Sequence, residues 1–78
     1  MSTNKSSYVS YPQLGKKYRH YKGGLYEVIS MATHSETGES LVIYKSLLFG
    51  SIYARPVSMW FEWIDDNGTS TTRFKLED

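Results

Sequence analysis

The sequence contains no cysteine, and no apolar run in it approaches the roughly 18 residues of a membrane span. Without cysteine, disulfide bonds, a thiolate metal site and a cysteine nucleophile are excluded. The first residues are polar and lack the apolar middle of a secretion signal. We therefore expect a cytoplasmic protein with no membrane partner.

The chain is also too short for more than one domain. A chain of 78 residues buries only about 60% of the surface that its unfolded form exposes, which leaves little room for a deep cleft. Apolar residues make up 40% of it and aromatic residues 15%, which is enough for a core. Because residues 1–14 are rich in Ser, Thr and Asn, we interpret them as a flexible N-terminal arm and residues 15–78 as a single domain.

Acidic residues are missing from residues 1–26, which carry five basic residues. Residues 61–78 show the reverse, with five acidic and two basic residues, so that the net charge is only +1. This asymmetry is typical of a protein with one basic face. The alternative is that strands from the two parts of the chain lie side by side and neutralise each other.

From Lys16 onward the sequence alternates β-forming runs with turn signals. The predicted strands are residues 16–21, 25–33, 40–49, 52–55, 59–66 and 69–77. Pro56 cannot donate to a strand ladder and is therefore expected to end the fourth strand. A competing interpretation makes residues 58–64 a short helix capped by Ser58.

The stretch His34-Ser35-Glu36-Thr37-Gly38-Glu39 joins two of these strands. We interpret it as a hairpin turn in which Ser35 opens a three-residue loop and Gly38 takes the left-handed position. This loop places Ala32 opposite Val42. The hydroxyls of the turn are expected to satisfy turn amides. A catalytic interpretation would instead use His34 as a base, but adjacent strand residues point to opposite faces, which keeps its ring from the Ser35 hydroxyl.

Asn67-Gly68 is the strongest short hairpin signal in the chain. With these two residues as the loop, cross-strand partners follow by counting. They are Glu62 with Arg73, Phe61 with Phe74, and Trp63 with Thr72. The ion pair and the aromatic pair would each add roughly 0.2–1 kcal/mol of stability.

Apolar residues lie on both faces of the predicted hairpin of residues 25–49, so both faces need cover. A strongly bent sheet that closes on itself provides that cover. The sequence therefore predicts an all-β fold: a small SH3-like, partly open β-barrel of five or six short antiparallel strands. The alternative is a twisted antiparallel sheet that buries its second face in a dimer, which leaves monomer and homodimer both open.

Several short motifs follow one another in a fixed order. They are Gly15 with Tyr18-Arg19-His20-Tyr21-Lys22-Gly23, Ala32 with His34-Ser35-Glu36-Thr37, then Arg55-Pro56, and finally Arg73-Phe74. In this order they resemble an uncharacterised family of small bacterial proteins, and the resemblance covers about residues 15–75. It implies a compact β-domain and brings no reaction, cofactor or ligand with it.

A barrel of this size binds through its loops and its open strand edge. We therefore expect a non-enzymatic binding or interaction module that meets an anionic or peptide partner. The candidate binding residues, expected to gather on one rim, are Arg19, His20, His34, Glu36, Tyr53 and Arg55. For the last of these, the alternative is an ion pair on its own surface with Glu36, Glu39 or Glu62.

Three other functions compete with this one. Residues 16–22 interleave bases and aromatics, which favours weak nucleic-acid binding through about three phosphates. A metal site would recruit His20, His34 and Glu36, but their spacing matches no ligand motif, so no metal is expected. A small enzyme would use His34 or His20 as general base beside a nucleophile.

Overall fold

The computed structural model describes residues 10–77, and strands dominate this part of the chain. The strands are β1 (Lys17–His20), β2 (Leu25–Thr33), β3 (Ser40–Ser46), β4 (Ile52–Pro56), β5 (Trp63–Asp66), β6 (Thr69–Thr72) and β7 (Phe74–Glu77). A single 3-10 turn, Val57–Met59, separates β4 from β5. The all-β class is confirmed. Seven strands replace the expected five or six, because the predicted last strand divides at Arg73.

Five strands form one antiparallel sheet in the order β4-β3-β2-β1-β7, and β5 and β6 form a separate hairpin. The two edges of the large sheet, β4 and β7, do not pair with each other. They nevertheless approach across the inner face, where the Arg55 Cζ lies 5.8 Å from the ring centroid of Phe74. The sheet is therefore curved but not closed, as in a partly open barrel.

The core lies on the inner face of this curved sheet. Along β3, Val42, Tyr44 and Ser46 are buried, while the residues between them are partly exposed, as the two-residue period of a strand requires. The buried apolar residues are Tyr18, Val28, Val42, Tyr44, Val57, Trp60 and Phe74. The Trp60 ring stacks on Phe74, with ring centroids 3.8 Å apart and an interplanar angle of 5°.

The predicted register of β2 and β3 is wrong by one residue. Ala32 lies opposite Leu41, and Met31 takes the place opposite Val42. The turn has four residues instead of three, because the His34 N–H donates to the Glu39 carbonyl at 2.8 Å. The left-handed conformation of Gly38 is confirmed, with φ of 78°.

A β-bulge between Val28 and Ser30 shifts the register again toward the other end of this hairpin. Ile29 is the extra residue and is 44% exposed. The bulge lets Tyr26, Val28 and Met31 all face the core, although a regular strand would turn Met31 outward.

The Asn67-Gly68 hairpin has the predicted two-residue loop. Both residues have positive φ, 56° and 84°, as a type I′ turn requires. Trp63 pairs with Thr72, and the Arg73 Nη2 lies 2.7 Å from the Glu62 Oε1, so both of these predictions are confirmed.

The predicted pairing of Phe61 with Phe74 is wrong. Phe74 pairs instead with His20 of β1, and Phe61 packs against Tyr18 at a centroid distance of 6.1 Å. The segment before β5 follows neither the strand nor the helix predicted there. After Pro56 ends β4, the 3-10 turn carries the Trp60 side chain into the core.

Two connecting segments differ in exposure. Of the predicted arm, residues 1–9 lie outside the described part, whereas Pro12 is buried and the Gln13 N–H donates to the Tyr18 hydroxyl at 2.9 Å. β3 ends at Ser46 and not at residue 49, and the following turn exposes Leu48 and Phe49 by 79% and 78%. Within residues 10–77 the structure has no helix with the length and apolar character to traverse a bilayer.

Candidate functional site

A small pocket opens at one end of the inner face, and every strand of the large sheet contributes to it. Its volume is about 250 Å³. The lining side chains, which we call the aromatic pocket, are His20 of β1, Tyr26 of β2, Tyr44 of β3, Tyr53 and Arg55 of β4, and Phe74 of β7. It therefore extends from one sheet edge to the other.

The pairing of the strands explains why these residues meet. Neighbouring antiparallel strands run in opposite directions, so the end of β1 lies beside the starts of β2 and β7. His20 lies directly opposite Phe74, and Tyr44 directly opposite Tyr53. Opposite residues share a face, and Arg55 shares the face of Tyr53 because it lies two residues further along the strand.

The aromatic rings support one another. The Tyr26 ring lies 5.4 Å from Tyr44, 6.3 Å from Tyr53 and 5.8 Å from Phe74, centroid to centroid, and all three contacts are edge-to-face. Such pairs add about 0.5–1.5 kcal/mol beyond the area they bury. The walls of the pocket are therefore held in place before any ligand arrives.

Arg55 supplies the fixed positive charge of the pocket. Its Nε donates to the Tyr44 hydroxyl at 3.2 Å, and its side chain lies over the Phe74 ring. The predicted ion pair of Arg55 with a glutamate is wrong within the described residues, where Glu62 binds Arg73 instead. Among residues 10–77 the terminal nitrogens of Arg55 find no hydrogen-bond partner, so they can donate to a ligand.

His20 supplies a second donor. Its Nδ1 accepts a hydrogen bond from the Lys22 N–H at 3.1 Å, so the neutral ring carries its proton on Nε2. Burial lowers the pKa of His20, and the nearby charges of Arg55, Arg73 and Lys22 lower it further. The ring is therefore neutral at pH 7, and it donates from Nε2 without bringing a charge.

The lining of the pocket carries positive charge and no negative charge. Its lining contains one arginine, one histidine and three tyrosine hydroxyls, and no carboxylate. A planar guanidinium binds a carboxylate or a phosphate through two parallel hydrogen bonds. The arrangement can hold an anionic group against aromatic walls.

Arg19 lies on the outer face of β1, away from the aromatic pocket. Its Nε and Nη2 donate to the two carboxylate oxygens of Glu77 at 2.9 and 2.6 Å, and its Nη1 donates to the Gly23 carbonyl at 2.9 Å. The hydrogen bond from Arg19 lowers the pKa of the Glu77 carboxyl. The charge of Arg19 is thus already compensated by β7.

His34 and Glu36 lie at the opposite end of β2 from His20, a strand length of about 30 Å away. The His34 Nδ1 accepts the N–H groups of Glu36 and Thr37 at 3.1 and 3.3 Å, and the Thr37 hydroxyl accepts the Glu39 N–H at 3.2 Å. The imidazole thus caps the turn, a role that the prediction gave to the hydroxyls of Ser35 and Thr37, of which Thr37 does accept a turn amide.

The six candidate residues therefore fall into three places. His20, Tyr53 and Arg55 come together, while Arg19 and the turn residues His34 and Glu36 lie elsewhere. The two histidines are too far apart to share a metal ion. Residues 10–77 contain no group of three or more metal-ligating side chains that could hold one.

Sequence reasoning missed Tyr26, Tyr44 and Phe74 as members of the site. The two tyrosines gave a signal, since each lies an even number of residues from the predicted pair of Ala32 and Val42 and therefore shares its face. The sequence contained no signal for Phe74, because the position of this residue depends on the pairing of β7 with β1.

Comparison with known proteins agrees with the earlier resemblance. Residues 16–76 match the model of a family described as "Protein of unknown function (DUF1653)". No curated protein matches the sequence. A crystal structure of a DUF1653 protein from Bordetella bronchiseptica is similar to this chain, with 31% identity and a TM-score of 0.71 over 80% of this chain and 83% of that one. The chain therefore belongs to the DUF1653 family of proteins of unknown function.

Proposed function

We propose that this protein is a non-enzymatic binding module whose aromatic pocket receives an anionic group of a partner. The observation that carries the proposal is the state of Arg55. Its charge lies at an aromatic wall, its Nε is fixed by the Tyr44 hydroxyl, and no described carboxylate pairs with it.

The size of the pocket supports recognition of one group and not of a whole small molecule. Its volume of about 250 Å³ lies below the roughly 300–1,000 Å³ of ordinary ligand pockets. A carboxylate or phosphate with a small apolar stem fits this description. The rest of the partner would then lie outside, on the sheet edge.

A rival enzyme would use His20 as general base. Such a base needs a nucleophile or an activated water within hydrogen-bond reach. The lining of the aromatic pocket contains no serine, threonine, aspartate or glutamate, and the Nδ1 of His20 already accepts the Lys22 N–H. These contacts support binding over catalysis.

Weak nucleic-acid binding through residues 16–22 is the alternative, and it has less support. Tyr18 is buried in the core, so its ring is not a stacking platform. Arg19 is held by Glu77, which leaves Lys16, Lys17 and Lys22 exposed. Three exposed lysines alone would give a log–log salt slope of only about −2.1 on a single strand.

The test is an NMR titration of the full chain with acetate, inorganic phosphate and a single-stranded oligonucleotide. We expect either small anion to shift the amide signals of His20, Arg55 and Phe74. An Arg55→Gln variant should bind about 10–100-fold more weakly, because a hydrogen bond to a charged group contributes about 1.5–3 kcal/mol.

Arg19→Gln is the matched control, since it removes the same charge outside the pocket, and it should keep the affinity for small anions. Equal weakening by both variants would contradict the proposal. So would oligonucleotide shifts confined to residues 16–22 with no response to acetate or phosphate.

A further inference from the structure

Within residues 10–77, no strand pairs with the outer edge of β4. β4 is the last strand of the sheet order on its side, so in the described part of the chain only β3 pairs with it. The Ser46 N–H donates to the Ser51 carbonyl at 2.9 Å, so the Ser51 position is one at which the chain bonds to β3.

Hydrogen-bonded and non-hydrogen-bonded pairs alternate along an antiparallel ladder. Two and four residues after Ser51, Tyr53 and Arg55 therefore bond to β3. The backbone N–H and C=O groups of Ile52 and Ala54 point outward, and Pro56 ends the row because it has no N–H.

The side chains of β4 alternate in the same way. Tyr53 and Arg55 face the aromatic pocket, while Ile52 and Ala54 face the other side of the sheet and are exposed. Ile52 is 62% exposed, and the adjoining turn exposes Leu48 by 79%. This edge thus borders the aromatic pocket on one face and the exposed side chains of Ile52 and Ala54 on the other.

Resting on the proposed function of the aromatic pocket, we propose that the partner is an extended acidic peptide that adds a strand to the outer edge of β4. Its backbone pairs with the outward groups of Ile52 and Ala54. One carboxylate side chain enters the pocket and binds Arg55, and the neighbouring side chains, which point to the opposite face, are apolar.

Charge decides between this partner and a second copy of the chain. Two β4 strands paired around a two-fold axis would bring a second Arg55 to the interface. The segment from Leu47 to Pro56 contains no acidic residue, so a copy of β4 offers no carboxylate to that arginine. An acidic peptide supplies the missing charge.

The test uses a synthetic mixture of acetylated and amidated pentapeptides. The central residue is glutamate, its neighbours are Val, Ile, Leu or Phe, and a matched mixture has central glutamine. Amide hydrogen exchange of the full chain is followed by NMR. The glutamate mixture should slow exchange at Ile52 and Ala54 at least five-fold, and the glutamine mixture should not.

Ala54→Pro removes one outward N–H and leaves the ladder to β3 intact. It should weaken peptide binding at least five-fold and leave the acetate-induced shifts unchanged, whereas Arg55→Gln should weaken both. Ala54→Ser keeps the N–H and is the control. Should Ala54→Pro not fold, the exchange measurement on the unaltered chain decides the question.

Three other results would each contradict the proposal that an acidic peptide adds a strand to β4. Acetate binding with no slowed exchange at Ile52 and Ala54 would leave the anion pocket standing and reject the added strand. If Arg55→Gln weakened neither acetate binding nor peptide binding, the proposed function itself would be rejected. A dimer in sedimentation velocity that Ala54→Pro converts to a monomer would identify the second copy as the occupant.

Discussion

The Arg55 guanidinium lies over the ring of Phe74, with Cζ 5.8 Å from the centroid, and thereby joins the two edge strands of an open sheet. One residue belongs to β4 and the other to β7, and no backbone hydrogen bond connects these strands. This contact spans the open side of the sheet, and both residues line the aromatic pocket.

Replacing Arg55 with alanine should lower the free energy of unfolding by about 1–2 kcal/mol. A cation–π contact contributes about 0.5–2 kcal/mol, and the substitution also leaves the Tyr44 hydroxyl without its donor. Urea denaturation measures the change. Arg55→Lys, which keeps the charge, should cost less, and an unchanged unfolding midpoint in the alanine variant would contradict the role of the contact.

Trp60 is the largest fully buried side chain, and its substitution by alanine should cost about 3–5 kcal/mol. Trp60→Phe should cost much less. It keeps an aromatic ring against Phe74 and removes the Trp60 Nε1, a buried donor with no hydrogen-bond partner in the described structure. Equal loss of stability in the two variants, measured by thermal unfolding, would show that the stacked ring is not the source of the stabilisation.

Gly38→Val should destabilise the protein by about 1–2 kcal/mol, the penalty of the left-handed backbone for a side chain. A Cβ at this position would meet no atom within 4 Å, so the effect is one of backbone conformation and not of packing. Gly38→Asn should cost less because asparagine tolerates this conformation. A melting temperature of the valine variant equal to that of the unaltered chain would refute the turn geometry.

The stability of the protein should fall as the pH falls below about 6.5. Burial lowers the pKa of His20 in the folded chain, so between the folded and unfolded pKa values only the unfolded state binds this proton. Lowering the pH through this range therefore favours the unfolded state. Urea denaturation at pH 7.5 and 5.5 measures the difference, and His20→Gln should reduce it.

His34→Gln is the matched control for that measurement, because it removes the other histidine outside the pocket. An identical pH dependence of stability in His20→Gln and in the unaltered chain would contradict the assignment of this dependence to His20. Acetate should also raise the pKa of His20, since a bound anion favours the protonated ring.

Local signals in the sequence predicted local structure well. Asn67-Gly68 sets its own turn, and the partners Trp63 and Thr72 follow by counting. The β2–β3 register failed because the Ile29 bulge and the His34 turn depend on packing and on a side-chain cap. Neither the bulge nor the turn produces a periodic pattern in the sequence from which the strand register could be counted.

The candidate site was also predictable only in part, because it too depends on packing between strands. His20, Tyr53 and Arg55 were expected near one rim, but Arg19 was expected beside them although adjacent strand residues face opposite ways. The place of Phe74 depends on contact between distant parts of the chain, which no local pattern encodes.

The pairing of β7 with β1 has a consequence for biosynthesis. Phe74 closes the stack on Trp60 and covers His20, so the core lacks one wall until residues 74–77 have left the ribosome. A nascent chain without them exposes Trp60 and the free side of β1 to chaperones and neighbouring chains. The core of this domain is therefore complete only once its last strand is available to pair with β1.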